Sequence, residues 1–223
     1  RFINMSESVN DRGVAGFSRQ QTNEASTFVR QLNTSFGLKN EEMMGLLQGF
    51  TEGGLLKDVN DLKSFKEKMV DLTKNVKAGA LLLNETFDSI TDLLAEMKKA
   101  GISQKNYSYL LSSGKVLGAE LGKDGSEVVR NLIGTASGLT QGTGYNTEDQ
   151  LNRLQNTTLY VNSMYEDLSH KNFDSLSSKQ QAVINMVKNL GGPQEAASHL
   201  QQIQESIIGG QNSANTKNSM YGL

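Results

Sequence analysis

Residues 58–100 read DVNDLKSFKEKMVDLTKNVKAGALLLNETFDSITDLLAEMKKA, and apolar side chains recur there every seven positions. A second, weaker series follows three residues behind the first, which is the a/d pattern of a helix with one apolar seam. The side chains assigned to this interaction seam are Leu62, Phe65, Met69, Leu72, Val76, Leu83, Ile90, Leu93 and Met97. The spacing predicts one long helix over residues 58–100, which at about 1.5 Å per residue is a rod of roughly 64 Å.

The middle of this stretch fits a straight helix less well than its two ends. Gly79 occupies a seam position, and Leu81 and Leu82 fall where a coiled coil is normally polar. A kink near Gly79, or a hairpin bend at residues 77–80, is therefore the alternative to a straight rod.

The composition favours an all-α protein with thin apolar seams. Only 36% of the 223 residues are hydrophobic, and tryptophan is absent. The single proline leaves long helices unbroken, and runs of the β-branched residues that support strands are scarce. We therefore expect several short amphipathic helices beside the long one, arranged as a helical bundle or as an extended assembly.

Glycine-rich and polar segments suggest the domain organisation. Residues 1–20 are predicted to be an arm or linker, and residues 21–133 a helical module that contains the heptad helix. Four glycines within residues 134–146 indicate a linker. Residues 147–208 are expected to form a C-terminal helical hairpin module, and residues 209–223 a flexible tail or linker.

A junction repeats on either side of the heptad stretch. Gly37-Leu38 and Gly101-Ile102 are each followed, six and nine positions after the glycine, by apolar residues, and a weaker copy begins at Gly122. The pattern predicts a glycine stop, an apolar anchor and then a short helix. It fits an internal repeat, and equally the ordinary form of a junction between two helices.

Charge and residue content argue against several chemistries. The net charge of −2 is spread along the chain without a basic stripe, so specific nucleic-acid binding is not predicted. Cysteine is absent, and His170 and His199 lie far apart in sequence. Glu166 and His170 could share a helix face, but no third ligand stands near them, so a solvated ion pair is the favoured interpretation. The most apolar window, residues 76–83, is too short to span a membrane. No catalytic, cofactor-binding or metal-ligating residue is predicted, and we do not expect an enzyme.

Two kinds of junction together resemble those of a known protein family. Short helices introduced by FGLKNEE (residues 36–42) and AGIS (residues 100–103), around a heptad-patterned helix, resemble the tape measure proteins of tailed bacteriophages. The segment LSSKQQA (residues 176–182) is similar to another junction found in that family. The resemblance covers residues 35–118 and 176–200 and includes no catalytic motif.

This resemblance implies a structural virion component assembled in the cytoplasm of a bacterial host. It would be part of a larger tail tape measure or an ejected internal protein, released during genome delivery. The heptad seam would then join copies of the chain as a homo-oligomeric coiled coil, or bind other virion or tail proteins. Because the chain begins at Arg1 rather than methionine, a fragment of a longer polypeptide is expected. The alternatives are the helical, non-catalytic region of a virion-associated peptidoglycan hydrolase and an intracellular helical adaptor.

Overall fold

The structure, a computed structural model, describes residues 17–140 and 146–204. Within these ranges the regular secondary structure is helical, without β-strands, which confirms the predicted all-α class. Most of the predicted arm and all of the predicted tail at residues 209–223 lie outside the described residues.

The described α-helices are α1 (Arg19–Phe36), α2 (Asn40–Glu52), α3 (Leu62–Leu83), α4 (Phe87–Lys99), α5 (Tyr107–Leu121), α6 (Gly125–Leu139), α7 (Thr147–Ser169), α8 (Ser178–Leu190) and α9 (193–204). Turns of 3-10 helix at Gln104–Asn106 and Phe173–Ser175 precede α5 and follow α7. These helices belong to two compact units, the first ending at Lys115 and the second beginning at Val116. The boundary therefore falls inside α5.

The heptad-patterned stretch forms two helices, α3 and α4, and the single rod predicted over residues 58–100 does not form. The chain leaves α3 through Asn84, whose φ of 57° and ψ of 45° lie in the left-handed region. Asparagine enters this region at lower cost than most residues, because its short amide can hydrogen-bond locally. Thr86 then caps α4, since its hydroxyl accepts a hydrogen bond from the N–H of Ser89 at 3.2 Å.

Gly79 lies inside α3, which continues to Leu83, so the break is not where the glycine predicted it. A Cβ atom at Gly79 would lie 2.9 Å from Cγ2 of Ile90 and 3.0 Å from Cδ1 of Leu111. The glycine therefore allows α4 and α5 to approach α3 closely. Contact between Gly79 and Ile90, which lie on opposite sides of the break, shows that α3 and α4 fold back on each other.

The first unit is completed by α1 and α2, which pack on this hairpin. Helix α1 contacts α2 and α3, and α2 contacts α4. The ammonium group of Lys77 in α3 donates to the backbone carbonyl of Phe36 at 2.6 Å, which pairs a carbonyl left free at the end of α1. Before α1, the ring of Phe17 meets that of Phe65 edge-on, with ring centroids 5.9 Å apart.

The glycines that were predicted to end helices do so, and all three have the same backbone conformation. Gly37, Gly101 and Gly122 have φ values of 63°, 79° and 62°, where a side chain would be strained. At each site the N–H of the residue after the glycine donates to a carbonyl five positions earlier, at 2.9 to 3.0 Å. This is the Schellman motif, in which the glycine ends the helix and the last carbonyls are paired.

In the second unit, α7 is the central helix and contacts both α6 and α8. Val161 of α7 and Val187 of α8 form a buried cluster with Ala196 and Ala197 of α9. The two alanines of α9 are fully buried, so this face of α9 lies in the interior of the second unit. A second cluster, of Leu168, Leu176 and Ile184, covers the connection between α7 and α8.

The predicted linker over residues 134–146 is helical in its first part. Gly134 and Gly138 lie in α6, and the second unit begins well before this segment. Burial of an apolar stripe of α6, including Leu132 and Ala136, outweighs the roughly 1 kcal/mol that each glycine costs inside a helix. Residues 141–145 lie outside the described residues.

The break at Asn84 predicts the sign of a mutational effect. We expect Asn84→Ala to lower the free energy of unfolding by about 1 kcal/mol, because alanine is strained in the left-handed region. Asn84→Gly should change it by only a few tenths, since glycine has no Cβ. Urea unfolding followed by circular dichroism measures both variants. In a continuous helix, Asn84→Ala would instead stabilise the protein, and that outcome would contradict the break.

Asp124 caps α6 and makes part of the stability depend on pH. Its carboxylate accepts hydrogen bonds from the N–H groups of Ser126 and Glu127 at 2.9 and 3.0 Å, and from the Ser126 hydroxyl at 2.6 Å. The bond from the Ser126 hydroxyl, together with these backbone bonds, lowers the pKa of Asp124 below its usual value. A lowered pKa in the folded state means that the contribution is present above about pH 4 and is lost as the pH falls further.

We therefore expect Asp124→Ala to destabilise the protein by about 1 kcal/mol at neutral pH, because α6 loses its cap. The difference from wild type should shrink as the pH falls below about 4. Asp124→Asn keeps an acceptor without a charge and should remain close to wild type at neutral pH. Urea titrations across this pH range test the prediction, and a difference that does not change with pH would contradict it.

Candidate functional site

The predicted interaction seam is the core of the first unit. Leu62 is half-buried, and the other eight seam side chains are buried. Val29 of α1 and Phe50 of α2 are buried in the same unit, where α1 contacts α3 and α2 contacts α4. The seam is therefore already filled, and a second chain could reach it only if the first unit opened. That the seam joins copies of the chain or binds a partner protein stays a prediction.

Apolar side chains that remain exposed are distributed over several helices. Leu81 is 76% exposed, as its position off the heptad seam requires, and Tyr160 of α7 is 68% exposed. The other large apolar residues with high exposure are Tyr109, Val116, Leu159, Phe173 and Ile203. Single exposed apolar residues are common on protein surfaces and do not by themselves define a site.

The second unit has polar side chains in its interior that the sequence did not reveal as core residues. Gln150 of α7 and Gln201 of α9 are buried, and the Gln201 amide donates to the Gln150 carbonyl at 3.3 Å. The Gln194 amide, also buried, donates to the backbone carbonyl of Val128 at 3.3 Å. Because an unpaired buried amide is costly, these bonds favour one alignment of α9 against α6 and α7.

A groove of about 590 Å³ in the second unit brings His199 near other polar residues, including Arg130, Glu195 and Ser198. The Ser198 hydroxyl donates to the carbonyl of Gln194 in its own helix at 2.9 Å. Glu195 forms an ion pair with Lys123 at 2.5 Å. The observed contacts of Ser198 and Glu195 therefore stabilise α9 itself and its packing next to Lys123. None of these contacts pairs a nucleophile with a base.

Within residues 17–140 and 146–204, no group of three or more histidine, aspartate or glutamate side chains could hold a metal ion. His170, at the end of α7, is exposed, as is His199. None of the described helices has both the length and the apolar character needed to cross a membrane.

A smaller cavity of about 310 Å³, here termed the lysine pocket, lies in the first unit. Its walls come from α3, α4, the start of α5 and the segments next to them, and they include Leu55, Lys68, Lys98, Ile102, Gln104 and Tyr107. Ile102 and Tyr107 belong to the junction that begins at Gly101, whereas Leu55 and Lys68 come from distant parts of the chain. The junction pattern predicts a helix end and a short helix, and nothing in it indicates a pocket.

Two cations of the lysine pocket share one carboxylate, that of Asp58. The ammonium group of Lys98 forms a short hydrogen bond with Asp58, and that of Lys68 lies 3.8 Å from the same oxygen. The Lys98 hydrogen bond is the main cause that lowers the pKa of Asp58. Burial, and then repulsion from Lys98, lowers the pKa of Lys68. The two ammonium groups and the one carboxylate therefore give these three side chains a net charge of +1.

No protein-family model, curated protein or solved structure matches the chain.

Because the seam is buried and Leu81 lies outside it, replacing a seam leucine and replacing Leu81 should affect stability differently. We expect Leu93→Ala to destabilise the protein by about 2–5 kcal/mol, because it leaves a cavity in the core. Leu81→Ala, the matched control on an exposed face, should change stability by less than about 0.5 kcal/mol. Urea unfolding at low and high protein concentration measures both effects. A Leu93→Ala loss that depended on protein concentration would show that the seam joins separate chains.

Proposed function

We propose that the chain is a helical, non-enzymatic structural component of a tailed-bacteriophage virion. It would belong to a larger tail tape measure or to an ejected internal protein, made in the host cytoplasm and packaged into the particle. In this role the chain contributes folded helical units to the inside of the virion.

The observation that carries the proposal is the repeated junction at which one helix ends on a left-handed glycine and the next begins. The junctions at Gly37 and Gly101 belong to the two segments on which the resemblance to tape measure proteins rests. After each glycine, the apolar residue six positions later, Met43 or Tyr107, is buried in the first unit. The two segments therefore end a helix in the same way and bury the apolar residue that follows, which supports treating the helix end as a common element. The next helix begins three residues after Gly37 but six residues after Gly101, where a turn of 3-10 helix precedes it.

Assembly contacts would use surfaces other than the seam, because the seam side chains are buried in the first unit. Contacts with copies of the chain or with other tail proteins would use the outer faces, where Leu81 and Tyr109 in the first unit and Tyr160 in the second are exposed. Burying such side chains against a partner would contribute about 1.5–3 kcal/mol each for the larger apolar groups.

The location of the native polypeptide tests this function. Particles purified by density gradient from the culture that produces the chain would be digested and analysed by mass spectrometry. We expect peptides of the two units to sediment with intact, genome-filled particles and to be lost from particles that have ejected their genome. The intact polypeptide should be heavier than the 24.3 kDa of this sequence if it is part of a tape measure.

Different results would favour the alternatives. Peptides found only in the particle-free cytosol would overturn the virion proposal and favour an intracellular adaptor. Particle-bound protein that lowers the turbidity of purified cell walls would instead favour a region of a peptidoglycan hydrolase. A host cytosolic protein followed through the same gradient serves as the control for contamination.

A further inference from the structure

The buried face of α9 offers little apolar area to the rest of the second unit. Among the described residues of α9, the buried side chains are two alanines and two glutamines, namely Gln194, Ala196, Ala197 and Gln201. Leu200 adds one half-buried side chain. The helices beneath α9 bury branched side chains instead, such as Val161 of α7 and Val187 of α8. Because apolar stabilisation grows with the area removed from water, α9 gains less from packing than these neighbours do.

Two buried oxygen atoms of α9 have no hydrogen-bond partner within residues 17–140 and 146–204. The Gln194 amide donates to the backbone carbonyl of Val128 at 3.3 Å, a long hydrogen bond, and its own Oε1 is unpaired. Glu195 contacts Lys123 through Oε1, and its Oε2 is buried and unpaired. Water would hydrate both atoms if α9 moved out, so their desolvation opposes the closed arrangement.

The connection before α9 and the space beside it both favour movement of this helix. Gly191 and Gly192 join α8 to α9 with φ values of 95° and 137°, which residues other than glycine rarely adopt. Since glycine reaches other backbone conformations at similar cost, the chain can change direction at these two residues. Next to α6, α9 borders the groove of about 590 Å³, so part of the space between these two helices is unfilled.

We propose that α9 is a hinged lid, which opens as one unit about Gly191 and Gly192 while α6, α7 and α8 remain folded. Opening breaks the ion pair between Lys123 and Glu195 and makes the apolar side chains beneath α9 accessible. In the closed state the lid covers an apolar surface of its own unit. The lid is a property of the second unit and does not depend on a virion role.

Amide hydrogen exchange of the full chain, measured by NMR at single residues, tests the opening. A released helix of about a dozen residues is mostly unfolded in water, so its amides exchange when the lid opens. We expect the amides of Ala197 and Ser198 to exchange at least about tenfold faster than those at the centre of α7. Low concentrations of urea should change their exchange little, because opening the lid exposes less surface than unfolding the unit.

Fraying of the helix end gives a different pattern of exchange. It exposes the last turn first, so Gln202 would exchange fast while Ala197 stayed as protected as the centre of α7. That result would overturn the proposal, because a hinged lid exposes both ends of α9 together.

The reactivity of a single thiol measures the same opening independently, because the chain contains no cysteine. Val161→Cys places a thiol beneath α9. The matched control is Ile184→Cys, at a buried residue of the same unit whose cluster includes no residue of α9. We expect a thiol reagent to modify Val161→Cys at least about tenfold faster than Ile184→Cys, since opening of the lid reaches only the first thiol.

A pair of glutamine variants tests whether the unpaired oxygen weakens the closed state. Gln194→Met keeps the length of the side chain and removes the unpaired atom, so it should slow the exchange of Ala197 about tenfold. Gln202→Met, at an exposed glutamine of the same helix, should leave this exchange unchanged.

A pair of lysine variants tests the ion pair that holds the lid. Lys123→Met leaves Glu195 without its partner and should speed the exchange of Ala197 about threefold. Lys63→Met removes the exposed ion pair with Glu67 in the first unit and should not affect α9.

Equal protection of α9 and the centre of α7, or equal thiol rates for Val161→Cys and Ile184→Cys, would show that α9 opens only with the whole unit. Either result would overturn the proposal, as would exchange that neither Gln194→Met nor Lys123→Met changes. Circular dichroism shows whether each variant is folded. If Val161→Cys is unfolded, the comparison of α9 with α7 in the unaltered chain still decides the matter.

Discussion

Burial of the apolar side chains of α3 and α4 against one another is the interaction on which the first unit depends. Phe65, Leu72, Ile90 and Leu93 are all fully buried there. Burial of each such side chain contributes about 1.5–3 kcal/mol to the free energy of unfolding, so the seam stabilises this unit more than any cap or ion pair described in it. Helices α1 and α2 extend the same core, and the lysine pocket lies where the hairpin meets the start of α5.

Whether the seam closes within one chain or between chains depends on the cost of bringing its two halves together. Residues 84–86 already join α3 to α4, so closing the hairpin requires ordering only a short connection. Association of separate chains costs an estimated 4–15 kcal/mol in translational and rotational freedom before any contact is gained. The left-handed conformation of Asn84 ends α3, and the cap at Thr86 starts α4, so the chain can fold back on itself. For this reason the heptad pattern does not lead to an extended rod here.

In the second unit, buried polar pairs act beside a smaller area of apolar packing. Small residues on α9, such as Ala196 and Ala197, provide close approach but little apolar area. Paired amides, as between Gln150 and Gln201, add directional contacts in the same interior. Apolar packing is tolerant of sliding, whereas a buried amide is satisfied at only one alignment, so the polar pairs define how these helices fit together.

The sequence by itself determined the all-α class, the glycine helix ends and the buried faces of α3 and α4. These follow from local rules, because backbone preferences and side-chain periodicity act over a few neighbouring residues. Only the tertiary structure decided that the seam is filled by the same chain, that Gly134 is helical, and that the lysine pocket exists. Periodicity shows which face of a helix is buried but carries no information about what covers it. Pocket residues as distant as Leu55 and Tyr107 come together only through packing, which leaves no pattern in the order of the residues.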